Sequence, residues 1–232
     1  LYQASLINPM PPLPAPQAIL FDLDGTLVDT APDLAAAVTK IQIEQGLAPT
    51  PYERLRPVAS AGARGLLGAA YGITPDDANY DALRTQFLAN YRNAIADKSH
   101  FFTGIAELLA CLNQHQIVWG IVTNKAAQLT DALVPLIGLD QAACVISGDT
   151  TPYAKPHPEP LFEAARRLQI APEHCWYVGD DLRDIQAGAA AGMTTIAAAW
   201  GYCGHTEPTQ WQADAIALSP QEIIHLLPTY DR

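Results

Sequence analysis

The apolar run Ala18-Ile19-Leu20-Phe21 passes without a break into Asp22-Leu23-Asp24-Gly25-Thr26. This junction constrains the chain more than any other stretch. A continuous apolar run of this length reads as a strand buried on both faces, as in a parallel sheet. Side chains alternate along a strand, so Asp22 and Asp24 share one face and Leu23 takes the other. Two adjacent carboxylates repel each other, and folding gains nothing from the pairing. A divalent cation, or a division of labour between the two carboxylates, accounts for it. The carboxyl end of a strand is also where open α/β sheets bind ligands. The competing reading is an Asp-rich turn, since Asp-Gly is a common turn dipeptide. The rest of the chain has to decide between them.

The 232 residues are 49% hydrophobic, enough for a real core in one or two domains. A net charge of -11 argues against nucleic acid or an anionic membrane as a partner. Only 13 Lys and Arg stand against 24 Asp and Glu, so a cation near a loop is informative. Cys111, Cys144, Cys175 and Cys203 are widely spaced and read as reduced thiols, which points to a cytoplasmic protein. No apolar run approaches the ~20 residues of a membrane-spanning helix, and no signal-peptide pattern is evident. Residues 1–17 are Pro-rich and read as an extended leader or an expression remnant, with Met10 a candidate native start.

Beyond residue 30 the pattern is helical. Thr30 with Asp33 predicts a capping box, with Pro32 in the first turn. Leu34, Val38 and Ile41 follow at helical spacing, and Gly46 is a natural stop. Thr50-Pro51-Tyr52-Glu53 and Thr74-Pro75-Asp76-Asp77 predict two further helix starts. Tyr80, Leu83, Phe87, Leu88 and Tyr91 mark a long amphipathic helix. No convincing strand falls in 31–98. From about residue 100 short apolar runs alternate with helical segments. Strands are expected at 117–122, 144–146, 175–178, 194–198 and 213–218. Such alternation predicts a parallel sheet with helices on both faces.

Three more strand ends carry polar residues. Thr123-Asn124-Lys125 offers a hydroxyl and an amide that can bind phosphate without adding charge, or can cap a helix. Three prolines around Lys155 fix its backbone. His157 reads as a helix-start residue rather than a base. Tyr177-Val178 ends in Gly179-Asp180-Asp181, with Asp184 beyond. Helix capping explains one of these aspartates, not three.

Asp22-Leu23-Asp24-Gly25-Thr26, Thr123, Lys155-Pro156 and Gly179-Asp180 with Asp184 and Ile185-Gln186-Ala187-Gly188 resemble, in order, the four motifs of the haloacid dehalogenase superfamily. The resemblance covers nearly the whole chain after the leader. It implies an α/β fold with a Rossmann-like parallel sheet core at 18–30 and 99–232. A helical cap domain of the C1 type would be inserted at 31–98. It further implies a phosphomonoester hydrolase acting through an aspartyl-phosphate on a small phosphorylated acid or sugar. Asp22 would be nucleophile and metal ligand. Asp24 would serve as acid and base, its backbone carbonyl reaching the metal. Asp180 would complete the set around Mg²⁺. Thr123, Lys155 and the loop residues Gly25 and Thr26 would hold phosphate, and Asn124 would position the substrate or the loop. Asp184 would support the metal shell or Lys155, beside Asp181 at a variable position. Arg64, in the segment Val58–Gly65 that resembles the cap's specificity loop, would bind a substrate carboxylate or hydroxyls.

Dehalogenases of this superfamily lack the second aspartate, because a halide needs no proton. Asp24 therefore favours an oxygen leaving group. Phosphonatases use a cap lysine, and Lys40 and Lys98 do not fit that place. The pattern is similar to phosphoglycolate phosphatases and to the N-acetylmuramate 6-phosphate phosphatases of cell-wall recycling. A phosphomutase of the β-phosphoglucomutase type is a further reading. A receiver-like phospho-acceptor switch is a non-enzymatic one, although receivers lack the paired aspartates and the helical cap. The expected state is a monomer or homodimer.

Overall fold

The structure, a computed structural model, describes residues 13–228. Met10 and most of the Pro-rich leader lie outside the described residues. Six strands form one parallel sheet: β1 (Ala18–Phe21), β4 (Val118–Val122), β5 (Val145–Ile146), β6 (Cys175–Gly179), β7 (Thr194–Ala198) and β8 (Ala215–Ala217). Their spatial order is β5-β4-β1-β6-β7-β8. The expected parallel α/β sheet is thus present, with β1 between β4 and β6. Phe21 is level with Ile121 on one side and Val178 on the other. Equal register brings the residues after all three strands to one edge of the sheet.

Alternation sorts the strand residues into two cores. Ile19 and Phe21 of β1 join Trp119, Ile121, Trp176 and Val178 in the larger cluster. This cluster also takes Leu108 and Leu112 of α5 (Ile105–Gln114), Leu133 of α6 (Ala127–Ile137) and Ile223 of α9 (Pro220–Leu226). Ala18 and Leu20 point the other way, against Leu161 and Ala164 of α7 (Glu159–Leu168) and Ala187 of α8 (Leu182–Ala190). All four residues of β1 are fully buried. At about 25 cal/mol per Å² of apolar surface, such burial is the main force holding the strand in place.

Between β2 (Val28–Asp29) and β3 (His100–Phe101) the described chain is helical. It forms α1 (Ala31–Glu44), α2 (Tyr52–Leu55), a 3₁₀ segment (Arg56–Ala61), α3 (Gly62–Tyr71) and α4 (Tyr80–Asn93). Helix α1 packs on α3 and α4. It stops in a Schellman arrangement: Gly46 takes φ +71, Gly46 N donates to Ile43 O, and Leu47 N donates to Gln42 O. The strands β2 and β3 are antiparallel to each other and were not expected. Two residues each are too short to show a period.

Of the three expected helix starts, that of α1 stands, with Thr30 in the cap position and Pro32 in the first turn but without the capping box, and the other two are corrected. Thr30 makes no capping bond; its hydroxyl donates to Asp24 Oδ1 at 2.6 Å. Asp33 accepts instead from Lys98 N, Ser99 N and Ser99 Oγ, the last at 2.6 Å. Thr50 is bonded to the Gln42 amide, and Pro51 takes the cap position of α2. Thr74 and Asp77 close a turn, and α4 begins only at Tyr80. In the first two cases a side chain six or eight residues back, Asp24 or Gln42, took the threonine away from the local cap. The four cysteines are free thiols, and no helix among the described residues is long and apolar enough to cross a membrane.

Candidate active site

The tight turn after β1 depends on Gly25. Its φ is +89, and a Cβ there would lie 2.2 Å from Asp180 Oδ2, so only glycine fits. Thr26 is fully buried, and its hydroxyl donates to Asp180 Oδ1 at 2.9 Å. Gly25 N donates to Val28 O. These two residues therefore build the loop and hold Asp180. Asp22 sits at the strand end with its Oδ1 accepting from Leu23 N at 2.8 Å.

Lys155 reaches this edge from the loop before α7. Its ammonium lies 2.7 Å from Asp184 Oδ1, 3.0 Å from Asp22 Oδ1 and 2.7 Å from the Tyr177 hydroxyl. Burial works against its charge, but Asp184 and Asp22 outweigh it and raise its pKa. Asn124 pins the same loop: Lys155 N donates to Asn124 Oδ1 and Asn124 Nδ2 donates to Lys155 O, both at 2.9 Å. Asn124 thus holds the lysine's backbone in addition to the prolines. Thr123 is buried at the end of β4 and lines a narrow pocket with Asp22, Asp24, Lys155 and Asp184. His157 accepts from Glu159 N at the start of α7, as a helix-start residue does.

Asp180 is fully buried at the end of β6. It accepts from Thr26 Oγ1, Ser60 Oγ and Tyr202 N. Burial and the charges of Asp22 and Asp184 push its pKa well above the ordinary carboxylate range. Asp181 and Asp184 form a reciprocal capping box on α8. Asp181 also holds Arg183; partial burial works against the charge of the half-buried Asp181 carboxyl, but the guanidinium outweighs it and keeps its pKa below the usual range. Carboxylate oxygens of Asp22, Asp180 and Asp184 lie within 4.8 Å of one another, all buried. One ammonium, that of Lys155, pairs with Asp22 and Asp184, and Asp180 has no ion-pair partner among the described residues. Buried charge left uncompensated is costly, and an all-oxygen donor set suits a hard divalent cation. The residues present therefore fit a metal ion.

The Asp24 side chain stands apart from that cluster. Lys125 Nζ lies 2.8 Å from Asp24 Oδ1 and 3.1 Å from Oδ2. Lys125 is buried, and its ammonium also sits 4.6 Å from the centre of the Tyr91 ring. Burial opposes the charge, but Asp24 more than offsets it, so its pKa is raised. The Tyr91 phenol is pushed up to about 12 by burial, against the pull of Lys125, and its buried hydroxyl makes no hydrogen bond.

Lys125, Ser60, Arg183, Thr30 and Tyr91 were not expected here. Lys125 carried a usable signal: it is a scarce cation next to a strand end, the argument that singled out Lys155. Ser60 and Tyr91 meet the site only through tertiary packing, whereas Thr30 and Arg183 lie within a few residues of Asp24 and Asp184. Arg183 donates to Ser60 O at 3.2 Å, so the 3₁₀ segment is tied directly over the sheet edge. Between the helices and that edge lies a cavity of about 320 Å³. Leu34, Phe87, Leu88 and Leu129 give it apolar walls, and Asp24, Lys125, Arg64, Arg84 and Arg92 also line it. Arg64 thus faces this cavity rather than the carboxylate cluster. Neither Arg64 nor Arg84 has an acidic partner among the described residues.

Comparison with known proteins bears on what this edge does. Residues 19–198 match the family model described as haloacid dehalogenase-like hydrolase. A phosphoglycolate phosphatase of Xanthomonas campestris pv. campestris is 44% identical over 90% of this chain and 95% of its own length. An N-acetylmuramic acid 6-phosphate phosphatase of Pseudomonas aeruginosa is 39% identical over 91% of this chain and 94% of its own. The crystal structure of a predicted phosphoglycolate phosphatase from Haemophilus somnus 129PT superposes with a TM-score of 0.80. It is 23% identical and covers 92% of this chain and 98% of that one. That likeness concerns the fold.

Proposed function

The chain belongs to the haloacid dehalogenase-like hydrolases, and from that premise we propose that it is a Mg²⁺-dependent phosphomonoester hydrolase. The observation that carries this reading is the buried set of Asp22, Asp180, Asp184 and Lys155, with Asp24 beside it but bonded elsewhere. A phosphate ester repels an incoming anion, and such a set answers that with fixed charge and fixed geometry. Asp22, Asp180 and the backbone carbonyl of Asp24 would hold the cation. When bound, it supplies positive charge to the ester oxygens and to the carboxylates together.

Asp22 attacks phosphorus; the bond to the alcohol oxygen breaks as the aspartyl-phosphate forms. Asp24 gives that oxygen a proton and then takes one from the water that cleaves the intermediate. Lys155 orients Asp22 and, with Thr123, holds phosphate oxygens. The segment 31–98 acts as a cap that keeps bulk water from the reacting atoms. Its 3₁₀ segment, tied down through Ser60 and Arg183, supports that role.

The alcohol half of the substrate would enter the cavity next to Asp24. The unpaired Arg64 and Arg84 favour a carboxylate on it. Phosphoglycolate, named for the Xanthomonas relative, carries one. A second reading is favoured by size. About 320 Å³ lies within the ~300–1,000 Å³ range of pockets for drug-sized ligands. N-acetylmuramate 6-phosphate, named for the Pseudomonas relative, would fill such a space better than a two-carbon acid. The test is Mg²⁺-dependent phosphate release over many turnovers, compared by kcat/KM for 2-phosphoglycolate, N-acetylmuramate 6-phosphate and hexose phosphates. Stoichiometric labelling without turnover would overturn the hydrolase reading.

A further inference from the structure

The two oxygens of the Asp24 carboxylate are not equivalent. Oδ1 accepts from Thr30 Oγ1 at 2.6 Å and from Lys125 Nζ at 2.8 Å. A carboxylate oxygen has two lone pairs in the carboxyl plane, so both are engaged. Among the described residues Oδ2 accepts only from Lys125, at 3.1 Å. One acceptor site is left on Oδ2, on a side chain that lines both the narrow pocket and the larger cavity. The Lys125 ammonium is held in turn by the Tyr91 ring from α4.

We propose that Thr30 and Lys125 are positioning residues that lock the Asp24 carboxylate through Oδ1, so that Oδ2 is the oxygen that exchanges the proton with the leaving group. Tyr91 keeps the lock in place by covering the ammonium. This rests on the reading of Asp24 as acid and base given above. In the first step Oδ2 passes its proton to the alcohol oxygen as the phosphorus–oxygen bond breaks. In the second, Oδ2 takes a proton from the attacking water. A carboxylate free to rotate would spend much of its time with neither oxygen aimed at the reacting atom, and proton transfer demands a reach of about 3 Å.

The test separates leaving groups by their need for a proton. p-Nitrophenolate departs with little help, whereas the alcohol of an alkyl phosphate needs the acid. Steady-state kinetics of the Mg²⁺-loaded full chain would be measured on p-nitrophenyl phosphate and on the better of 2-phosphoglycolate and N-acetylmuramate 6-phosphate. Lys125→Met is expected to lower kcat/KM for the alkyl phosphate, which reports the steps up to departure of the alcohol, about 100-fold, the low end for a positioned acid. The loss of kcat/KM on p-nitrophenyl phosphate should be several-fold at most, whereas kcat, which also contains the shared hydrolysis of the aspartyl-phosphate, falls on both. Lys125→Arg should recover part of the loss. Thr30→Val and Tyr91→Leu should show the same selectivity at about tenfold, and they carry the test if Lys125→Met does not fold. Equal losses of kcat/KM on both substrates, or no loss on either, would overturn the proposal. A wild-type chain that turns over neither ester would overturn the hydrolase reading instead. An Asp24→Asn variant that loses kcat/KM equally on both substrates would overturn the role of Asp24 as the acid.

Discussion

Asp22 and Asp24 are two residues apart and chemically unlike, and neighbours far away in sequence make them so. Asp22 is paired to Lys155, next to two further carboxylates. Asp24 is paired to Lys125 and Thr30. Replacing Asp22 with Asn should abolish turnover on every phosphate ester while circular dichroism stays native. The change removes the proposed nucleophile and a like charge beside Asp180, but also one partner of the buried Lys155 ammonium, which keeps Asp184, so thermal stability of the metal-free protein should change little. Measurable multi-turnover activity in a clean preparation would remove the covalent mechanism. Most of these residues are legible in the sequence because each stands just after an apolar run. Their partners are not. Lys125 meets Asp24 across 101 positions and Ser60 meets Asp180 across 120, distances at which no local pattern survives.

At the level of elements, the junction between the sheet and the helical segment is closed by one buried carboxylate. Asp33, in the first turn of α1, is 2% exposed and takes three donors from Lys98 and Ser99. Removing it leaves those donors buried without a partner. Asp33→Ala should therefore destabilise the fold by about 2–3 kcal/mol, a fall in Tm of roughly 5–10 °C for a chain of this size. Thermal or urea unfolding checks this, and a shift within error would show that the donors find water. The sequence hinted at a role for Asp33 but assigned it to a helix cap. Capping signals are local, and they fail here because Thr30 is taken by Asp24 six residues back and Asp33 by Lys98 and Ser99 some 65 residues on. The elements themselves were legible where a period could establish itself. Strand β7 falls where expected, whereas the two-residue strands β2 and β3 gave no pattern to read.

For the molecule as a whole, placing β1 at the centre of the sheet gathers negative charge at one edge. Spatial order depends on which strands pair, and the sequence alone leaves that open. The gathered charge has a consequence for stability. Asp180 has a raised pKa in the fold, so in the metal-free protein it keeps a proton that the unfolded chain releases near pH 4. Its contribution is full below that pH and is lost as the pH rises through the folded value. A bound cation replaces the proton and reverses the penalty. Adding Mg²⁺ should therefore raise Tm more at pH 7.5 than at pH 5.5, and a chelator should undo the gain. At a hundredfold excess over Kd the stabilisation is about 2.7 kcal/mol. The absence of a Mg²⁺ effect at both pH values would remove the metal from the site.

The antiparallel pair formed by β2 and β3 has a further meaning. Val28 lies beside Phe101 and Asp29 beside His100, so the chain leaves the sheet and returns to it at neighbouring points. Whatever lies between those points is a loop whose ends are already joined. Lengthening such a loop costs little, about 0.6 kcal/mol for each doubling. The intervening helices can thus be enlarged, trimmed or exchanged in evolution while the reacting groups stay where they are. In a lineage built this way, the choice of molecule and the chemistry performed on it are inherited separately.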